Sequence, residues 1–189
     1  MKIGILGGSF NPIHIGHCIL ASYICQNTDL DEVWLSVSPQ NPFKADRQML
    51  QSEHRLRMVE LATECCPALR PCGIELELPL PSYTINTLHV LQERYPGNEF
   101  KIIIGSDNWE RFGNWKCSQQ IMDDFGVIIY PRHGYAIEEP EHPNVRCIDA
   151  PLIEISSTYI RESIKKGKNM NFFLPEKVYQ YITQNNLYK

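Results

Sequence analysis

The sequence has no run of about 18 apolar residues, the length a helix needs to cross a bilayer. It also has no excess of positive charge: 18 Lys and Arg against 22 Asp and Glu give a formal net charge of −4. A general nucleic-acid binder needs a basic surface for phosphate contacts, so that class is disfavoured. A small anionic substrate is not excluded, because a pocket needs only a few local cations. Missing too are a C-x-x-C pair, an internal repeat, a low-complexity tract and an interdomain linker. The seven cysteines (Cys18, Cys25, Cys65, Cys66, Cys72, Cys117 and Cys147) are odd in number, in a chain long for a disulfide scaffold. They read as reduced, mostly structural thiols. "GGSFNP" interrupts the apolar start too early for a secretory signal. The expectation is a soluble cytoplasmic protein with one domain over 1–189, no membrane partner and no nucleic-acid partner. A homo-oligomer is left open.

What the chain does have is short apolar runs separated by helical patterns. "KIGIL", "EVWLSV", "FKIIIG" and "FGVIIY" are rich in β-branched or aromatic residues and bounded by turn residues. Such continuous runs suit parallel strands covered on both faces. Apolar residues fall at helical spacing in "IGHCILASYICQN" and in "SEHRLRMVELATECC", with Ser52 as N-cap and Glu53 in the first turn. "SYTINTLHVLQERY" and "SSTYIRESIKK" read as helices opened by hydroxyl caps, and "LPEKVYQYITQNN" as one with Pro175 at its first position. "CGIELELPLP" alternates apolar and charged residues, which predicts an edge or antiparallel strand. "SPQNPFKADRQML" and "RHGYAIEEPEHPN" read as loops. The pattern predicts an α/β fold, a doubly wound, mostly parallel open sheet with a small helical C-terminal part.

In such a sheet ligands sit outside the carboxyl ends of the strands, and "GGSFNPIHIGH" directly follows the first run. Gly7 and Gly8 let backbone approach a ligand where a Cβ would collide. The helix beginning near His14 adds unpaired N–H groups and a positive dipole end, which favours an anion. The spacing matches neither G-x-G-x-x-G nor G-x-x-x-x-G-K-[ST], so the dinucleotide and P-loop readings lose their main support. His14 and His17 share one helix face. A zinc site would need a third and usually a fourth ligand, and none is close in sequence. Two unengaged core or surface histidines remain the alternative. Phosphate contacts are the better physical reading.

"GGSFNPIHIGH" resembles the H-x-G-H signature of the nucleotidyltransferase superfamily, and "ISSTYIR" (Ile155 to Arg161) resembles its second signature. The resemblance implies a Rossmann-like nucleotidyltransferase fold in which His14 and His17 hold ATP phosphates and stabilise charge at the attacked α-phosphorus. It implies that Gly7, Gly8, Ser9, Phe10, Ile155, Ser156, Ser157, Gly105 and Asp107 bind ATP, and that Arg161 contacts the triphosphate from the opposite side. Independently of any family, hydroxyls and free amides at a helix start with an arginine one turn on make an anion site. An ordinary N-cap with a solvated arginine is the plainer reading of that block.

The middle of the chain narrows the resemblance. "NPFK", "EHRLRM", "PSYTINTL", "GSDNWERFGNW" and "LPEKVYQYITQNNLY" occur in the order found in bacterial nicotinate-nucleotide adenylyltransferases. That family implies Trp115 stacking on a pyridine ring, Thr84 and the backbone N–H of Lys116 on its carboxylate, Asp107 on ribose hydroxyls, and Lys44 on phosphate. Arg132 is implied as a further phosphate contact to the mononucleotide. Taken singly, Trp115 could be packing, Lys44 a solvated charge and Asp107 the N-cap of "NWERF". Three positions depart from the family pattern, namely Phe43 before the lysine, Asn86 in the "SYT" block and His133 in "PRHG".

The activity implied is adenylyl transfer from ATP to nicotinate mononucleotide, with Mg²⁺ accompanying ATP and no dedicated protein metal ligand. The rivals are transfer to nicotinamide mononucleotide or phosphopantetheine, and a non-catalytic nucleotide sensor. Phosphopantetheine would give Trp115 no ring to stack on.

Overall fold

A computed structural model describes residues 1–39, 49–137 and 140–189. Six strands form one sheet, β1 (Lys2–Gly8), β2 (Glu32–Val37), β3 (Leu69–Cys72), β4 (Glu99–Gly105), β5 (Val127–Tyr130) and β6 (Val145–Cys147). Their spatial order is β3-β2-β1-β4-β5-β6, and each neighbouring pair runs parallel. The chain builds outward from β1 to β3, then returns across β1 to begin the other half at β4. The reversal leaves a crevice between the carboxyl ends of β1 and β4, where this architecture binds ligands.

Alternation along the strands divides the core into two layers. Leu6, Leu35, Ile103 and Ile128 face one side, against Ile24 of α1 (Ile15–Asn27), Met58 of α2 (Ser52–Thr63), Ile160 of α7 (Ser157–Lys165) and Val178 of α8 (Glu176–Gln184). Ile5, Trp34, Ile104 and Ile129 face the other side, against Ile85, Leu88 and Leu91 of α4 (Thr84–Arg94). Both sheet faces are therefore covered, which is why the strands read as unbroken apolar runs. The exposed sides of α2, α4, α7 and α8 carry the charge that made their patterns legible, whereas α1 has no Asp, Glu, Lys or Arg.

The segment 72–81 departs from the sequence expectation. The edge strand is β3, which ends at Cys72 and is parallel, and residues Ile74–Glu77 form a short helix, α3. Pro79 and Pro81 cannot donate ladder hydrogen bonds, and Glu75 accepts a 3.0 Å hydrogen bond from Ser36 instead of facing solvent. Strand β6 lies just past the loop read over 132–144, and its three residues are too few for a pattern to register. Helix starts differ by a residue or so: Gln51 rather than Ser52 caps α2, Pro175 caps α8, and α4 begins after Tyr83 without a hydroxyl cap. Ser156 does cap α7, accepting from the Tyr159 amide at 3.2 Å. No helix among the described residues is long and apolar enough to cross a membrane.

Candidate active site

A cleft of about 900 Å³ opens over the carboxyl ends of β1 and β4. Gly7, Gly8 and Ser9 line it at the end of β1, Gly105 at the end of β4, and Ser157 and Arg161 from α7. Thr84, Trp115 and Lys116 form another part of its wall. Stretches of sequence as far apart as Gly7 and Arg161 thus meet at the topological switch point.

The front turn leaves β1 and enters α1 through residues 9–14. A Cβ on Gly7 would meet nothing within 4 Å, so the open side of this glycine is the cleft itself. On Gly8 a Cβ would come within 2.9 Å of the Phe10 ring. Phe10 adopts φ 43°, a left-handed conformation, and buries its ring edge-on to His17 at 5.1 Å. Its side chain belongs to the core, so only its backbone is left to approach a nucleotide. Gly16 has a similar packing reason: a Cβ there would press on the His14 ring at 3.1 Å.

His14 is the N-cap residue of α1, and its ring stacks on that of His17 with centroids 3.7 Å apart. The His14 backbone N–H donates to His17 Nδ1 at 3.2 Å, one arm of a capping box at the start of α1. Burial first, and the positive charge of Arg132 second, push the His14 imidazole down to about 4. Burial also pulls His17 well below its ordinary value, with His14 and Arg132 adding to it. Both rings are therefore neutral at pH 7 in the free protein. Neither ring is among the residues that line the cleft.

The second motif grips the first. The Ser157 hydroxyl donates to the Pro12 carbonyl at 2.8 Å, and Arg161 donates from Nη1 to the Asn11 carbonyl at 2.9 Å and from Nη2 to Thr158 Oγ1 at 3.3 Å. Arg161 is 7% exposed, so the plainer reading of a solvated arginine fails. Ser156 is exposed and spends its hydroxyl on the helix cap. Ile155 packs against the core.

Asp107 lies within α5 (Ser106–Trp109), whose N-cap is Gly105, so it is not the cap residue. It faces Arg132 at 3.7 Å. A Cβ on Gly105 would stand 2.4 Å from Asp107 Oδ1 and 2.9 Å from Arg132 Cγ, so glycine is needed for these two to meet over β4. Arg132 also lies over the Tyr130 ring at 5.4 Å. Its positive charge also acts on His14 and His17. Ser106 Oγ accepts from the Arg132 amide at 2.9 Å and donates to Tyr135 O at 3.1 Å, which pins the turn.

On the other wall, Trp115 packs on Phe112 at 5.3 Å and also lines the cleft. Thr84 is the first residue of α4, where helix amides have no intrahelical partner and favour an anion. The Lys116 ammonium sits over the Tyr83 ring at 4.3 Å. Asn86 is exposed on α4, and His133 is an exposed residue 3.7 Å from Glu154. Phe43 and Lys44 lie outside the described residues.

Sequence reasoning assigned no role to Arg55, although it lay in a quoted motif. It is 2% exposed and donates to three carbonyls, Ser9, Ser38 and Leu50, at 2.8, 2.7 and 3.0 Å. Asn11 and Tyr188 were missed as well. Spacing gives no signal for either, because their partners are long-range.

The family model described as cytidylyltransferase-like matches residues 5–163. A Flavobacterium johnsoniae protein named "Probable nicotinate-nucleotide adenylyltransferase" is 46% identical over 195 residues, covering 100% of both chains. The chain belongs to the nicotinate-nucleotide adenylyltransferase family. A Bacteroides thetaiotaomicron member of the same name is 48% identical, over 97% of this chain and 92% of its own. The fold agrees with that of Plasmodium falciparum nicotinic acid mononucleotide adenylyltransferase, solved in complex with NaAD. That likeness has a TM-score of 0.79 at 23% identity, over 99% of this chain and 97% of that one. The cleft brings together Gly7, Gly8 and Ser9, which precede the histidines, with Thr84, Trp115, Ser157 and Arg161.

Proposed function

We propose that the protein transfers the adenylyl group of Mg–ATP to nicotinate mononucleotide, releasing pyrophosphate and forming nicotinate adenine dinucleotide. The observation that carries this reading is the meeting of Gly7, Gly8 and Ser9, and of Ser157 and Arg161, with Thr84, Trp115 and Lys116 around one switch-point cleft. The names borne by its relatives point the same way.

A phosphate oxygen of the mononucleotide forms the new bond to the α-phosphorus, and the bond from that phosphorus to the bridging oxygen of pyrophosphate breaks. The nucleophile has a second pKa near ~6 and is largely dianionic at neutral pH, so no general base is needed. Catalysis is alignment and charge neutralisation. His14 and His17 donate N–H groups to the phosphates, and the arriving anion favours their protonation. Arg161, fixed by Asn11 and Thr158, and the α7 amides at Ser157 and Thr158 take the other side. Arg132 and Asp107 border this half, with Asp107 as acceptor for ribose hydroxyls. Mg²⁺ enters as part of the substrate, carried by phosphate oxygens.

Trp115 offers its ring to the pyridine, and Thr84 with the first α4 amides and the Lys116 amide receives its carboxylate. An amide in that place brings its own N–H donors against theirs, which disfavours nicotinamide mononucleotide. The test is incubation with Mg–ATP and, separately, nicotinate mononucleotide, nicotinamide mononucleotide and phosphopantetheine. Pyrophosphate should be released fastest with the first acceptor. Release with none of them defeats the proposal, and a faster rate with another acceptor reassigns the substrate.

A further inference from the structure

Tyr188 follows α8 and reaches back 177 positions in sequence to the front turn, where its hydroxyl donates to Asn11 Oδ1 at 2.8 Å. The residue is 9% exposed, packs with the core layer that holds Phe10 and Ile13, and has φ 63°. A left-handed backbone is disfavoured for a bulky side chain and persists only where surrounding contacts over-determine it. Asn11 Oδ1 also accepts from the Leu50 amide at 3.3 Å, so two donors fix which way its amide faces. Asn11 itself is 2% exposed, and its carbonyl receives Arg161 Nη1. Tyr188 thus holds the Asn11 side chain while Arg161 bonds the Asn11 main-chain carbonyl, so the link between them runs through the covalent frame of Asn11 at the cleft wall.

We propose that Tyr188 is a positioning residue for nucleotide transfer: through Asn11 it sets where the Arg161 guanidinium meets the phosphates. Tyr188 does not line the cleft, so it acts only through these partners. With its side chain anchored by Tyr188 and Leu50, the Asn11 main chain is held in place, and its backbone carbonyl presents a fixed acceptor to Arg161. A guanidinium is a rigid fork, and a small displacement of one bonded arm swings the other donors away from a phosphate. Hydrophobic packing of the Tyr188 ring alone would explain its burial. It would not explain the hydroxyl bond to a residue that faces the site.

The inference rests on Arg161 acting on phosphate as proposed above. Its test is a double-mutant cycle of Tyr188→Phe and Arg161→Met in the full chain, well below the melting temperature. Tyr188→Phe removes one oxygen and should lower kcat/KM for ATP about five- to tenfold, the size of one lost hydrogen bond. In the Arg161→Met background the same change should cost less than about twofold, because the residue it positions is gone. Equal losses in both backgrounds, or no loss in the parent, overturn the proposal. Equilibrium binding of Mg–ATP without acceptor repeats the cycle, so the positioning role is tested even if the acceptor assignment fails. Should Arg161→Met not fold, Arg161→Lys, which keeps the charge and loses the fork, takes its place with the same expectation.

Discussion

His14 and His17 stack ring on ring at 3.7 Å, and the His14 amide donates to His17 Nδ1. That hydrogen bond fixes the tautomer: with Nδ1 accepting, the neutral His17 ring carries its proton on Nε2. Two imidazoles this close do not both charge readily in the free protein. A bound triphosphate changes the balance, because its negative charge favours the protonated forms.

Replacing His17 with alanine should lower turnover by about 10²-fold, the loss expected when a preorganised donor to developing charge is removed. Steady-state rates with Mg–ATP and nicotinate mononucleotide check this, with circular dichroism showing that the fold persists. A folded variant with near-parental turnover would remove His17 from the mechanism.

Stability should fall on acidification. The folded state holds His14 at about 4, below its ordinary 6.5, so between those values the unfolded chain binds more protons. Unfolding free energy therefore rises with pH across this window and is fully present above about 6.5. His14 alone accounts for about 3 kcal/mol at most, and His17 shifts in the same direction. Urea midpoints from pH 7 down to 4.5 should drop more steeply for the parent than for His14→Gln. Saturating Mg–ATP, whose negative charge favours the protonated rings, raises their folded-state pKa and should shift the drop to lower pH. An unchanged profile would argue that the phosphates do not touch them.

Gly7→Ala separates ligand approach from folding. A methyl group there meets no protein atom within 4 Å, so the melting temperature should hold or rise slightly. Mg–ATP affinity should nevertheless fall about tenfold, since the methyl occupies space that a phosphate approaching the backbone would use. Calorimetric titration showing unchanged affinity would place the nucleotide elsewhere in the cleft.

Trp115→Ala should raise KM for nicotinate mononucleotide about three- to tenfold, with a smaller effect on KM for ATP. The ring also packs on Phe112, so some stability is lost with it. Trp115→Phe should restore most of the affinity. An unchanged KM for the mononucleotide in the alanine variant would leave Trp115 as packing alone.

The strands and most helices were legible because both sheet faces are covered, leaving apolar runs bounded by turns. The failure at 72–81 has a local cause. The alternation around Glu75 and Glu77 matched a half-buried strand, yet Glu75 turns inward to Ser36 and the prolines forbid a ladder. Pattern counts exposed charge and cannot register a carboxylate with a buried hydroxyl partner. His14 and His17 were singled out from motif and chemistry, and Thr84 and Trp115 from the family resemblance; the last two line the cleft. Arg55, Asn11 and Tyr188 were not, since each is defined by a partner distant in sequence.

By itself the sequence determined the alternation of strand and helix, the sheet class, and which residue types are offered for phosphate contact, because these depend on local periodicity and side-chain chemistry. Tertiary structure alone decided that Ser157 and Arg161 hold the front turn, that Phe10 belongs to the core, and that the Arg132 charge acts on the histidines. Those relationships join positions up to 150 residues apart through hydrogen bonds and burial. Only chain closure in three dimensions brings such groups within a few ångströms, and only there do burial and a neighbouring cation make the two histidines neutral.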